Sequence, residues 1–139
     1  MVSMTPTGVL ETVLYVNDLA AAEQFYRDVL GLEPFSKAAG RQLFYRCGDQ
    51  MLLLFNPDAT SKPPAPNALP VPPHGAKGPG HVCFRASAEE IERWKQHLTS
   101  KGVVIEADFE WPNGGRSIYF RDPSDNCLEF AEPRIWGLT

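Results

Sequence analysis

The sequence predicts an α+β fold made from two copies of one β-α-β-β-β unit. Two observations carry this. A strand-like segment running into a cappable helical segment occurs twice, as "LETVLYVNDLAAAEQFYRDVLGL" (10–32) and "HVCFRASAEEIERWKQHLTSKG" (81–102), each time followed by further strand candidates. Between the copies lies "NPDATSKPPAPNALPVPPHGAKGPG" (56–80), rich in Pro and Gly and without periodicity.

In the first copy, "LETVLYV" alternates, with Leu10, Thr12, Leu14 and Val16 on one face and Glu11, Val13 and Tyr15 on the other. Asn17 or Asp18 caps the helix that follows, Ala22, Phe25, Tyr26 and Val29 give it an apolar side, and Gly31 ends it. A short strand is expected near Glu33–Phe35, then strands in "RQLFYRC" and "MLLLF" joined by the turn "GDQ". The second copy opens with "HVCFRA". Ser87 and Glu90 have capping-box spacing, Ile91, Trp94, Lys95 and Leu98 share a helix side, and Gly102 is the stop. Strands are expected in "VVIEADFE", "SIYFR" and "CLEFA", the last two flanking the turn "DPSDN". The modules then span 8–57 and 80–133 of one domain, with a connection at 58–79 and a tail at 134–139.

Composition narrows the function classes. The chain has 139 residues, 43 % apolar, 22 % charged, with a net charge of −4. This is the profile of one soluble domain with a core of its own, and it offers no basic surface for nucleic acid or anionic lipid. Cys47, Cys83 and Cys127 have no CxxC spacing and are expected as free thiols. "MVSMTPTG" does not read as a signal peptide, and "MLLLF" is far too short to span a bilayer, so a cytoplasmic protein is expected.

In a β-α-β-β-β unit the helix covers one sheet face. Leu14 and Val16, with Leu10, suit that face, as do Val82, Phe84, Ala86, Leu128 and Phe130. The opposite face then carries Glu11, His81 and Glu129. Glu11 and His81 occupy the same place in their repeats, and Glu129 matches Leu53. A glutamate or histidine alone in a strand is usually an ordinary exposed or hydrogen-bonded side chain. Three metal-competent residues at repeat-equivalent places read differently, as a set of ligands.

The segments "ETVLYVNDLAAAEQFYRDVLGL", "GHVCFRA" and "SIYFRDPSDNCLEF" resemble the vicinal oxygen chelate superfamily, the glyoxalase/bleomycin-resistance/extradiol-dioxygenase group. The resemblance covers nearly the whole chain. It implies a glyoxalase-like curved mixed sheet around a central cavity, with metal ligands on the first and last strands of each module. Those positions are Glu11, Leu53, His81 and Glu129 here, and Leu53 cannot bind a metal. The implied ligand set is therefore Glu11, His81 and Glu129, with Glu129 also the catalytic candidate. The set departs from the four-ligand lyases and isomerases, and from the His-His-Glu enzymes of the group.

Three ligands leave open positions on a divalent ion, which then acts as a Lewis acid on a small oxygenated substrate. Two carboxylates and one imidazole suit Mn, Mg or Zn, with Ni or Fe also compatible. The leading expectation is a metal-dependent lyase, isomerase or thiol transferase. The alternatives are a bleomycin-resistance-like binding protein without catalysis and an extradiol ring-cleaving dioxygenase, the latter disfavoured by Glu11. Tyr15 and Arg85 share strand faces with the ligands and are substrate-binding candidates. So is Arg116, which the turn "WPNGG" brings forward, with an ordinary surface arginine as the competing reading. His74, in the connection, is expected in solvent unless that segment folds over the site. Each module leaves a strand edge needing cover, and dimers are usual in the group, so a homodimer is expected, with Glu11 of one chain joining His81 and Glu129 of the other.

Overall fold

The computed structural model describes residues 3–139. Strand β1 (Glu11–Tyr15) leads into helix α1 (Leu19–Asp28), then β2 (Ser36–Ala38), β3 (Gln42–Cys47) and β4 (Gln50–Phe55). After a short helix α2 (Pro57–Thr60), the pattern repeats as β5 (His81–Arg85), α3 (Ala88–Ser100), β6 (Ala107–Glu110), β7 (Arg116–Arg121) and β8 (Cys127–Ala131), with a closing 3-10 turn (Pro133–Trp136). The sheets have orders β1-β4-β3-β2 and β5-β8-β7-β6. In each, the first and last strands pair in parallel and the rest antiparallel. This is the α+β pair of modules that the sequence predicts.

Local chemistry sets the helix limits. Asp18, not Asn17, caps α1 by accepting the Ala21 amide, and Gly31 follows at φ 70°. Ser87 and Glu90 form a complete capping box on α3. Several expectations shift. The short strand expected at 33–35 lies at 36–38, and the "VVIEADFE" strand shortens to 107–110. Helix α2, capped by Asn56, stands inside the segment expected to be irregular. Leu10 precedes β1 and is 74 % exposed, so it does not join the helix-side face.

The helix sides of both sheets share one core. Leu14, Leu43, Tyr45, Leu52 and Leu54 pack with Ala22 and Tyr26, and the same cluster continues through Ile91, Leu98, Ile118, Phe120, Leu128 and Phe130. Trp94 stacks on Phe130 with centroids 4.4 Å apart. His97 donates its Nε2–H to the Val29 carbonyl at 2.8 Å, tying α3 to the end of α1.

A polar corner joins the modules where the sequence reads "DPSDN". The Asn126 amide donates to the Tyr15 carbonyl (2.9 Å) and to Asp122 (3.0 Å), and its oxygen accepts from the Gly80 amide (2.7 Å). Asp122 also accepts from the Tyr26 hydroxyl and from the amides of Ser124 and Asn126. Asp125 closes the turn at φ 68°, a conformation that Asp tolerates better than most residues. A side chain at Gly80 would press on Asn126 and Leu14, both 3.2 Å away, so glycine permits this junction. Asn126 is 1 % exposed. Replacing it with Ala strands buried partners and should cost about 2–3 kcal/mol by urea denaturation, since lost buried hydrogen bonds cost on the order of 1 kcal/mol each. A loss below about 0.5 kcal/mol would deny the corner its role.

Candidate metal and substrate site

The parallel register places the candidate ligands. Val13 lies opposite Leu53 in the first sheet, and Cys83 opposite Glu129 in the second. Leu53 and Glu129 thus occupy equivalent points, one module presenting an apolar side chain where the other presents a carboxylate.

Glu129 is 5 % exposed although its strand face lies away from the helix. Its cross-strand neighbours are Cys83 on β5 and Tyr119 on β7. The His81 ring stacks against Tyr119 with centroids 6.2 Å apart and planes 20° from parallel. His81 Nε2 lies 3.2 Å from a Glu129 oxygen. On the other side of the ring, Nδ1 is 2.8 Å from the Cys127 carbonyl, so Nδ1 must carry a proton to donate there. In the neutral ring that leaves the Nε2 lone pair facing a carboxylate. Two acceptors at this distance repel unless a cation or a second imidazole proton lies between them.

Burial pushes the Cys83 thiol up to about 12, with the Glu129 charge adding to the effect. The Tyr119 phenol is raised to about 12 for the same two reasons. Both groups are therefore neutral near pH 7, and Cys83 is a poor nucleophile. All three cysteines are free thiols, as the sequence predicts.

Glu11 is exposed at the start of β1, opposite Met51. Among the described residues, no three His, Cys, Asp or Glu side chains of one chain group closely enough to hold a metal ion. One chain thus assembles His81 with Glu129 and leaves Glu11 outside the pair. Tyr15 is hydrogen bonded to His74 Nδ1 at 2.6 Å, and the His74 ring also packs edge-on against Phe55 at 4.9 Å. The connection therefore folds onto the first sheet, and His74 is half-buried, correcting its expected place in solvent. Arg85 lies on the Glu129 face but donates to the Thr139 carbonyl.

Arg116 corrects a second expectation. By register it shares its strand face with Ile118 and Phe120, on the helix side, opposite to Tyr119 and Glu129. Its guanidinium pairs with Asp108 at 2.8 Å and with Glu92 of α3 at 2.6 Å. A cavity of about 590 Å³ where β1 and β5 meet is lined by Leu52, Val82, Cys83, Phe84, Arg85 and Trp94, and none of Glu11, His81 or Glu129 lines it.

Sequence reasoning missed Tyr119, Phe109 and Trp111. Phe109 stacks on Tyr119 (5.8 Å, 10°), and Trp111 meets Phe109 edge-on at 4.9 Å. Alternation in "SIYFR" put Tyr119 on the Glu129 face, but nothing in that spacing showed the rings of three strands joining.

The Arg116 hydrogen bonds hold the Asp108 carboxyl down to about 2 from its usual 3.8. This stabilisation is complete above the usual value and fades as pH falls through about 2. Arg116→Met should therefore cost about 1 kcal/mol near neutral pH, a modest value for a partly exposed pair, and the difference from wild type should shrink below pH 4. Urea melts at several pH values check this. A pH-independent difference, or a loss of metal affinity in this variant, would contradict the structural role.

Comparison with known proteins follows the same lines. The family profile described as Glyoxalase/Bleomycin resistance protein/Dioxygenase superfamily matches residues 8–130. A lactoylglutathione lyase structure from Agrobacterium tumefaciens is 46 % identical, covers 97 % of this chain and 100 % of its own, and superposes with a TM-score of 0.92. An integron cassette protein from the mobile metagenome of the Halifax Harbour sewage outfall is 27 % identical over 91 % of this chain and 99 % of its own, with a TM-score of 0.70. A glyoxalase/bleomycin resistance protein/dioxygenase from Nocardioides, 21 % identical over 94 % of this chain and 86 % of its own, shares the fold with a TM-score of 0.72. By sequence profile, module architecture and structural likeness, this chain belongs to the glyoxalase/bleomycin resistance protein/dioxygenase superfamily.

Proposed function

We propose that the protein is a divalent-metal-dependent enzyme of the lyase or isomerase type, acting on a small oxygenated substrate, with its ion held by His81 and Glu129 of one chain and Glu11 of a second. The observation that carries this reading is the His81–Glu129 pair. Two ligand bonds of about 2.1 Å, set near a right or tetrahedral angle, separate their donors by roughly 3.0–3.4 Å. The pair stands at 3.2 Å, with Nδ1 held by a backbone carbonyl so that Nε2 is free to ligate. The lactoylglutathione lyase likeness supports a lyase reading over simple sequestration.

The shared arrangement is supported by one feature. Glu11 does not join the pair within one chain. Both β1 and β5 are edge strands of their sheets, and within the chain they lie beside each other. The homodimer is thus part of the proposal.

A bound divalent ion would supply Lewis acidity at a substrate oxygen. The chain's own residues do the rest. Glu129 holds a carboxylate oxygen at the reacting position and is the group able to carry a proton there. Tyr119, a neutral phenol, offers a hydrogen bond without adding charge. Cys127 holds the imidazole plane through its carbonyl. Tyr15 and Arg85 remain substrate-side candidates, Tyr15 through its contact with His74 on the first sheet.

Calorimetric titration of Mn²⁺ and Zn²⁺ into metal-stripped protein tests the ligands. Glu129→Gln keeps the volume and removes the anionic donor, so ion affinity should fall at least about tenfold with the fold retained. Affinity should also fall on acidification, because proton and ion compete for the same Nε2 lone pair. Mixing Glu11→Ala protein with His81→Ala protein should restore one intact site per heterodimer. Equal ion affinity in wild type and Glu129→Gln would refute the ligand set, and no recovery after verified subunit exchange would refute the sharing. A metal-free protein that binds an organic ligand would favour the sequestering branch instead.

A further inference from the structure

From the wall of rings beside Glu129, we infer that the substrate is a neutral aromatic ketone or alcohol, bound with its ring on Phe109 and Tyr119 and its oxygens toward Glu129 and His81. The inference rests on the site proposed above and adds the substrate class. Four rings run across the second sheet on the Glu129 face. His81 stacks on Tyr119, Tyr119 stacks on Phe109, and Trp111 closes the end edge-on, its indole N–H donating to Ser117 at 2.8 Å. Planes 20° and 10° from parallel mean that the rings stack on one another and turn their edges outward, a row on which a flat ligand rests in edge-to-face contact. Phe109 and Trp111 remain 39 % and 37 % exposed, so the far end of the wall is open to a ligand.

Charge decides against an anionic substrate. By register, the cations on this face are Arg85 and Arg121. Arg85 donates to the Thr139 carbonyl, and Arg121 is bound to Glu106 and to the Asp125 carbonyl. On the equivalent face of the first sheet, Arg46 lies over the Phe35 ring at 4.1 Å. A carboxylate-bearing thiol conjugate would find the strand arginines of these faces, Arg85, Arg121 and Arg46, already engaged and would have to displace their partners. An uncharged arene carrying oxygen donors avoids that cost and uses the wall.

The test is calorimetric titration of 2-hydroxyacetophenone, a neutral aromatic hydroxyketone, and of S-methylglutathione, an anionic thioether, into full-length protein with and without Mn²⁺. The arene should bind more tightly than the glutathione derivative. Phe109→Ala should weaken arene binding about five- to tenfold, the scale of one aromatic contact, with Mn²⁺ affinity unchanged. Phe109→Leu, which keeps apolar volume without a ring, should show the same loss and serves if the alanine variant unfolds. Should Mn²⁺ fail to bind while the arene still binds through Phe109, the ring wall stands and the ion assignment falls. Tighter binding of S-methylglutathione overturns the proposal. So does an arene affinity indifferent to Phe109, including the case where the variants instead dissociate the protein and so mark the wall as a subunit contact.

Discussion

The buried hydrogen-bonded corner between Asp122 and Asn126 is the constraint on which the rest of the structure depends. It is a short turn, yet it reaches both modules. Through Tyr15 and Tyr26 it holds the end of β1 and the flank of α1, and through Gly80 it fixes the start of β5. Cys127 follows directly and donates its amide to the Gly80 carbonyl. That bond starts the parallel β5–β8 ladder and sets its register. A slip of one residue there would turn Glu129 into the core and Phe130 out of it. The same ladder brings the Cys127 carbonyl to His81 Nδ1. Positioning of the imidazole and of the carboxylate thus descends from one polar corner.

The two modules keep the same frame and diverge at a single informative point. Leu53 and Glu129 sit at equivalent register, one against Val13 and the other against Cys83. The first sheet answers its leucine with an apolar surface, where Phe55 packs with Phe44 and with His74 from the folded connection. The second answers its glutamate with groups that stay neutral, Cys83 and Tyr119, both raised to about 12 by burial and by that carboxylate. Glu129 is thus a carboxylate between two neutral strand neighbours.

Much of this was legible in the sequence. Alternation in "HVCFRA" and "CLEFA" put His81 and Glu129 on one face, and the capping residues bounded α3. The repeat matched Leu53 to Glu129 before any register was known. Other features rest on contacts between segments distant in sequence and leave no local trace. Alternation gave the face of Arg116 only relative to its own strand, and the turn before it suggested a ligand-facing role that Asp108 and Glu92 in fact occupy. The connection looked irregular because its order comes from Asn56 capping α2 and from His74 seated on Tyr15 and Phe55. Phe109 and Trp111 gave no periodic signal, since their stacking crosses strands.

On the proposed function, a complete ion site exists only where two copies meet, because one chain supplies His81 and Glu129 together and holds Glu11 apart from them. Native mass spectrometry of the Mn²⁺- or Zn²⁺-loaded protein across a dilution series measures this directly, by counting ions on each species. The account predicts a dimer carrying two ions and a monomer carrying none. Monomers that retain an ion as firmly as dimers do would contradict it.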